Sequence, residues 1–325
     1  MNLNSAPEFG KGADSGSAAI GNEVPSSRMR AVFVGDGGLR AGWAFAIYLG
    51  MFTVMLAVSG WMISSLHVGD LWSLMLGEAD VFAAAAIPAL IMARIEKRQW
   101  GDYGLPLREA FSKLFWVGAV WGFLGITFLL VILFGMHAFD FGHIVLHGLG
   151  IVRFAMFWGV LFLLVGFTEE FMLRGYSQFT LARGMGFWPA AVVLSAVFGA
   201  VHLKNPGEAW VGALAAGVIG LFFCLTLRRT GNLWFAVGFH AAWDWGESFF
   251  YSVPDSGQVS PGHLLSSSFH GSRWVTGGSV GPEGSLFCFA VIAVMWVGFS
   301  LVYTDVKTQA PSEKSLTQGT QTITG

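Results

Sequence analysis

The chain has 325 residues, 54% of them hydrophobic and only 12% charged, with a formal net charge of −2. Soluble domains carry about 25% charged residues, so the composition excludes a soluble globular fold and implies an all-α polytopic membrane protein. The near-neutral charge, with no basic stripe, excludes nucleic acid and leaves the lipid bilayer as the expected surrounding partner.

Residues 1–41 are polar and rich in Gly, Ser and Ala. They lack the apolar centre of a secretory signal and are expected to form a disordered cytoplasmic tail. Eight apolar segments follow, near 42–66, 79–95, 114–136, 154–183, 187–202, 209–228, 232–251 and 285–304. A spanning helix needs about 20 residues, and the second and fifth segments meet that test least well. Glu78 and Asp80 flank the second, and the fifth is short. The stretch 252–284, with seven glycines and three prolines, reads as a loop. Residues 305–325 read as a second disordered cytoplasmic tail, which leaves 42–304 as the transmembrane domain.

The basic residues set the expected direction. With the N-terminus inside, 15 of the 18 Lys and Arg fall on inner segments; the exceptions are Arg153, Lys204 and Arg273. That asymmetry predicts about eight transmembrane helices with both termini cytoplasmic. Trp43, Trp61, Trp116, Trp188 and Trp234 fall near span ends and read as an interfacial belt. Cys224 and Cys288 lie in apolar runs and suggest neither a disulfide framework nor a CxxC metal site. No fixed-period repeat and no inverted repeat of the transporter kind is visible.

Few strongly polar groups stand out inside the spans. Glu169, Glu170 and Arg174 follow the apolar run Phe154–Phe167, His202 ends the fifth segment, and His240 and Asp244 lie in the seventh. Ionised side chains in lipid cost several kcal/mol each unless paired or hydrated. Glu170 and Arg174 are four apart and can pair. Glu169 is turned about 100° away on the helix and is left for chemistry. His240 and Asp244 share a face by the same four-residue spacing. Helix rise places Glu169 roughly 21 Å from Arg183, His202 roughly 22 Å from Phe187, and His240 and Asp244 roughly 12 and 18 Å from Asn232. All four then share one slab of the membrane, as a buried polar active site requires.

These residue types permit two schemes for hydrolysis. A glutamate and a histidine can deprotonate a water while a second histidine, beside Asp244, stabilises an oxyanion. Alternatively Glu169, His202 and His240 can bind Zn²⁺ with an open water position. His143 and His147 are also four apart, but no third ligand is evident, and a loop role is expected for them. Gly175, Gly199 and Gly220 are expected to permit close helix approach. A non-catalytic immunity factor and a proton-coupled transporter using the buried carboxylates are the rival classes. The lack of an inverted repeat counts against the transporter.

The motifs Glu169-Glu170…Arg174, Phe198…His202 and His240…Asp244 together resemble the CPBP family of intramembrane proteases. That family includes the type II CAAX prenyl endopeptidases and bacteriocin-immunity-type proteins. Flanking text is similar too: Asp102-Tyr103-Gly104-Leu105, His202-Leu203-Lys204-Asn205-Pro206, Arg229-Thr230-Gly231-Asn232-Leu233-Trp234 and Gly281-Pro282-Glu283-Gly284. The resemblance covers about residues 100–300. It implies a multi-pass endopeptidase of a bacterial cell membrane, acting on a membrane-associated peptide or protein. It makes Glu169 the general base, His202 the residue that positions the water, and His240 with the residue four on the oxyanion donors. Glu170 and Arg174 orient the site. Many relatives have asparagine where this chain has Asp244. Asparagine offers an amide donor, whereas ionised aspartate only accepts. Asp244 could instead fix the tautomer of His240, ligate a metal or be protonated.

Overall fold

The structure is a computed structural model that describes residues 32–308, apart from 36, 37, 67, 68, 206 and 260. It is all-α. The helices are α1 (Ala41–Ser64), α2 (Asp70–Ile95), α3 (Lys113–Gly135), α4 (Leu149–Glu170), α5 (Gln178–Met185), α6 (Phe187–His202), α7 (Trp210–Thr230), α8 (Trp234–Trp245), a short α9 (Arg273–Thr276) and α10 (Leu286–Val302). Among the described residues, five helical units are long and apolar enough to cross a membrane: α1, α2, α3, the continuous unit Leu149–Met185, and α7. α6 and α10 are apolar but shorter. α8 is extended by the π-helical stretch Gly246–Tyr251. Eight apolar helical units therefore stand where the sequence places eight segments. The exposed apolar side chains on them, such as Val54, Trp61, Val120, Val160 and Val294, fit a lipid-facing surface.

Several boundaries differ from the sequence expectations. α2 starts at Asp70, so Glu78 and Asp80 lie within the helix rather than at its edge. The fourth segment is not one straight α-helix. Its α-helical bonding gives way to a π stretch at Phe171–Ser177, and Gly175 leaves helical geometry at ψ −119°. π-bulges of this kind tend to lie at functional sites, and a straight-helix ruler from Arg183 to Glu169 does not apply across it. Trp234 is not interfacial. It is buried, and its indole N–H donates to the Pro106 carbonyl at 3.1 Å, which anchors the start of α8.

Short parts of the two expected tails lie among the described residues. Val34–Gly35 (β1) pairs antiparallel with Gly38–Leu39 (β2). The Lys307 and Thr308 N–H groups both donate to the Arg228 carbonyl, which holds this segment against the end of α7. Residues 1–31, 36, 37 and 309–325 of the predicted tails lie outside the described residues.

The core seam joins α3 and α8. A methyl group added at Gly118, Gly122 or Gly238 would come within 2.0–2.1 Å of a backbone carbonyl on the opposing helix. Small residues at such spacing let backbones touch where no hydrophobic effect drives association. Gly199 plays the same part between α6 and α7, where Ala213 O lies 2.2 Å from the added methyl position. Gly220 makes room for the Arg174 guanidinium instead.

The stretch 252–284 is a loop, as its glycines and prolines predict, but it is stitched down. Its strand β4 (Ser268–Phe269) pairs with β3 (Phe139–Asp140). The Leu264 N–H donates to Phe249 O, the Val145 N–H to Leu264 O, and the Trp158 indole to Pro261 O. The Ser285 hydroxyl then caps α10 by accepting from the Phe287 N–H.

Candidate active site

A cavity of 530 Å³ opens between α2, α4, α6 and α8, and Glu169, His202, His240 and Asp244 all line it. Three helices thus bring to one chamber the residues that the sequence places at one depth. Each is set by its helix. Glu169 ends the α-helical part of α4, where the π stretch begins. His202 is the last residue of α6. His240 is central in α8, with Asp244 one turn further on.

Helix spacing puts Glu170 and Arg174 together. The Arg174 Nη1 lies 3.1 Å from Glu170 Oε1, and both side chains are fully buried. The guanidinium also stacks over Phe198, 4.5 Å from the ring centroid, and lies 5.6 Å from that of Phe223. Cation–π contacts of this kind gain strength when desolvated. The pair is not isolated, however. Glu170 Oε1 is also 3.1 Å from His240 Nδ1. Glu170 therefore links the arginine to the histidine of α8, a contact that periodicity on α4 alone does not reveal.

His240 is ringed by carboxylates. Its Nε2 faces Glu169 Oε2 and Asp244 Oδ2, each at 3.5 Å. Both ring nitrogens thus have an acceptor for a proton. Glu169 is the most open of this group, with 26% of its side chain exposed against 0% for Glu170. The two glutamates divide as their helix positions predict: one is clamped and the other faces the chamber. His202 is oriented by its own helix, since Nδ1 lies 2.9 Å from the Phe198 carbonyl. A carbonyl accepts only, so Nδ1 carries the proton and Nε2 presents a lone pair.

The zinc alternative fares less well. Ligands about 2.0–2.1 Å from Zn²⁺ lie roughly 3–3.5 Å from one another. Among the described residues, the set of three acidic, His or Cys donors that gathers within 4.8 Å is Glu247, Asp255 and Glu283, not Glu169, His202 and His240. The residues of that trio do not fit zinc as placed, and no step below passes through a metal.

Several chamber residues were not singled out from the sequence. Glu78 lines the cavity from α2 because that helix begins earlier than its hydropathy suggests. Asp255 and Glu283 line it from the loop. Glu247, fully buried, lies three residues beyond Asp244, and that one-turn spacing is the signal that points to it. Two of the flanking motifs, around Gly104 and around Asn232, act as braces. Asn232 Nδ2 donates to Glu109 at 2.7 Å, and the Leu233 N–H donates to the Gly104 carbonyl at 2.7 Å, where Gly104 turns at φ +88°.

Fold and site together define a polytopic membrane protein with a carboxylate–histidine chamber between its helices. Residues 151–246 match the family model described as Rce1-like, type II CAAX prenyl endopeptidase Rce1-like, which bears out the resemblance to the CPBP family. The matched segment contains Glu169, Glu170, Arg174, His202, His240 and Asp244. No curated protein and no solved structure matches the chain.

Proposed function

We propose that the protein is an intramembrane endopeptidase that hydrolyses a peptide bond of a membrane-associated substrate with a water activated by Glu169 and His202. The observation that carries this reading is the convergence of Glu169, His202 and His240 on one chamber, from three helices inside the segment of the family match. In this reading a substrate peptide enters the chamber with its scissile carbonyl near His240. The open Glu169 carboxylate and the His202 Nε2 lone pair orient a water, and Glu169 takes its proton as the oxygen attacks the carbonyl carbon. The developing oxyanion accepts a hydrogen bond from His240. Glu169 then gives the proton to the leaving amine as the C–N bond breaks, which restores both groups.

Glu170 and Arg174 position rather than react. They hold His240 Nδ1 and leave Nε2 to the chamber. Asp244 faces Nε2 at 3.5 Å, so it fits as a partner that orients His240 better than as an oxyanion donor. Both termini are placed on the cytoplasmic side by the basic-residue asymmetry.

The test is cleavage of a membrane-reconstituted peptide library by purified protein, read by mass spectrometry. Glu169→Ala and His202→Ala are expected to abolish cleavage while keeping the wild-type melting temperature. Equal cleavage by either variant would overturn the assignment.

A further inference from the structure

Beside the proposed catalytic residues lies a second group of carboxylates. One oxygen from each of Glu247, Asp255 and Glu283 falls within 4.8 Å of the others. They come from the π stretch after α8, from the loop, and from the turn Pro282–Gly284 before α10. Most of their other contacts are donors from nearby. Trp243 Nε1–H donates to Glu283 Oε1 at 3.2 Å, the Ser256 N–H and hydroxyl donate to Glu283 Oε2 at 3.1 and 2.7 Å, and the Ser248 hydroxyl donates to Asp255 Oδ2 at 3.2 Å.

Glu247 is the exception. Its side chain is fully buried, yet neither carboxylate oxygen has a hydrogen-bond partner. A buried acceptor left unpaired carries its full desolvation cost, and a buried charge carries far more. No described ion pair brings a Lys or Arg to any of the three. The other titratable groups near the cluster are Asp244, His240, Glu208 and Cys288, and none of them neutralises three carboxylates.

We propose that Glu247, Asp255 and Glu283 form a binding site for a hard divalent cation of the Ca²⁺ class. The donors are all oxygen, which suits a hard ion rather than zinc or copper. They come from three separate segments without fixed octahedral geometry, and Ca²⁺ tolerates that better than Mg²⁺, which keeps near-ideal octahedra. Backbone carbonyls and waters complete such shells. A bound cation pairs Glu247 and ties the loop and the start of α10 to the end of the histidine-bearing helix. The site stands independently of the protease reading, because its ligands and its test involve no turnover.

Trp243 supplies a built-in reporter, since its indole touches the Glu283 carboxylate. The full chain is purified in detergent, stripped with EDTA and titrated with CaCl₂. The melting temperature is expected to rise by about 5 °C at a hundredfold excess over the dissociation constant. Tb³⁺ added to the stripped protein is expected to give indole-sensitised emission that Ca²⁺ displaces. Glu247→Gln and, as a second variant in case the first fails to fold, Asp255→Asn are each expected to remove both signals. Trp243→Phe is expected to remove the emission and keep the thermal shift. A wild-type protein with no Ca²⁺-dependent shift and no displaceable emission would overturn the proposal and leave a shared proton as the neutralising group.

Discussion

Two of the polar clusters among the described residues differ in one respect. At the ends of α2 and α5, the Glu96 carboxylate has a partner on every side. Arg183 Nη2 lies 2.7 Å from Oε1, the Tyr176 hydroxyl donates to the same oxygen at 3.2 Å, and the Tyr103 hydroxyl donates to Oε2 at 2.9 Å. In the chamber, Glu78, Glu169, Glu170 and Asp244 stand against one arginine, Arg174, and two histidines. In the first cluster both carboxylate oxygens are held by donors. The second has carboxylates in excess, and Glu78, Glu169 and Glu170 each keep a buried oxygen without a hydrogen-bond partner. Satisfied networks rigidify, whereas under-satisfied groups that share a cleft are where chemistry is expected. The contrast separates a brace from a site without reference to any relative.

The strongest way to break this comparison is to remove the chamber's one arginine. Arg174→Met leaves Glu170 buried without its cation, and loss of one partner of a buried pair costs about 3–5 kcal/mol. A large fall in melting temperature is expected together with loss of cleavage, and an unaltered melting curve would undo the argument. Next is the seam behind His240. Gly122→Val places a side chain where the Phe239 carbonyl lies 2.1 Å from the added carbon, and overpacking of this kind costs about 1–3 kcal/mol or more. Denaturation in mixed micelles measures it.

A subtler test addresses Asp244. Asp244→Ala is expected to lower kcat by about 10- to 100-fold, as for the loss of a charged partner that faces His240 at 3.5 Å. Asp244→Asn is expected to stay within about tenfold of wild type, since the amide oxygen keeps an acceptor for His240. A null effect of the alanine would remove Asp244 from the mechanism. The smallest effect belongs to the brace. Glu96→Gln is expected to cost about 1 kcal/mol of stability with kcat unchanged, and a change in kcat there would erase the distinction between the two clusters.

Much of this was legible in the residues themselves. The eight apolar segments recur as eight helical units because lipid-facing helices carry their signal in hydropathy alone. The Glu170–Arg174 contact follows from a four-residue spacing, and Glu169 faces the chamber because it is one residue out of phase. Other features depend on partners distant in the chain. His240 reaching Glu170, or Trp234 reaching Pro106, is written in no local period. Glu283 and Asp255 reach the chamber only through the path of a glycine-rich loop, which has no periodicity to read. Glu78 was hidden by hydropathy, which sees a carboxylate as the edge of a span even where a cavity accommodates it.

The glycine contacts between α3 and α8 carry one further consequence. A joint made of backbone against backbone has no rotamers to rearrange, so the helix that holds His240 behaves as the stator of the device. Entry of a substrate chain from the bilayer is then expected at another wall, where Leu74 and Glu78 of α2 and Leu161 and Val165 of α4 line the cavity. A cross-link from α2 to α4 is accordingly expected to stall turnover, whereas one from α3 to α8 leaves it running.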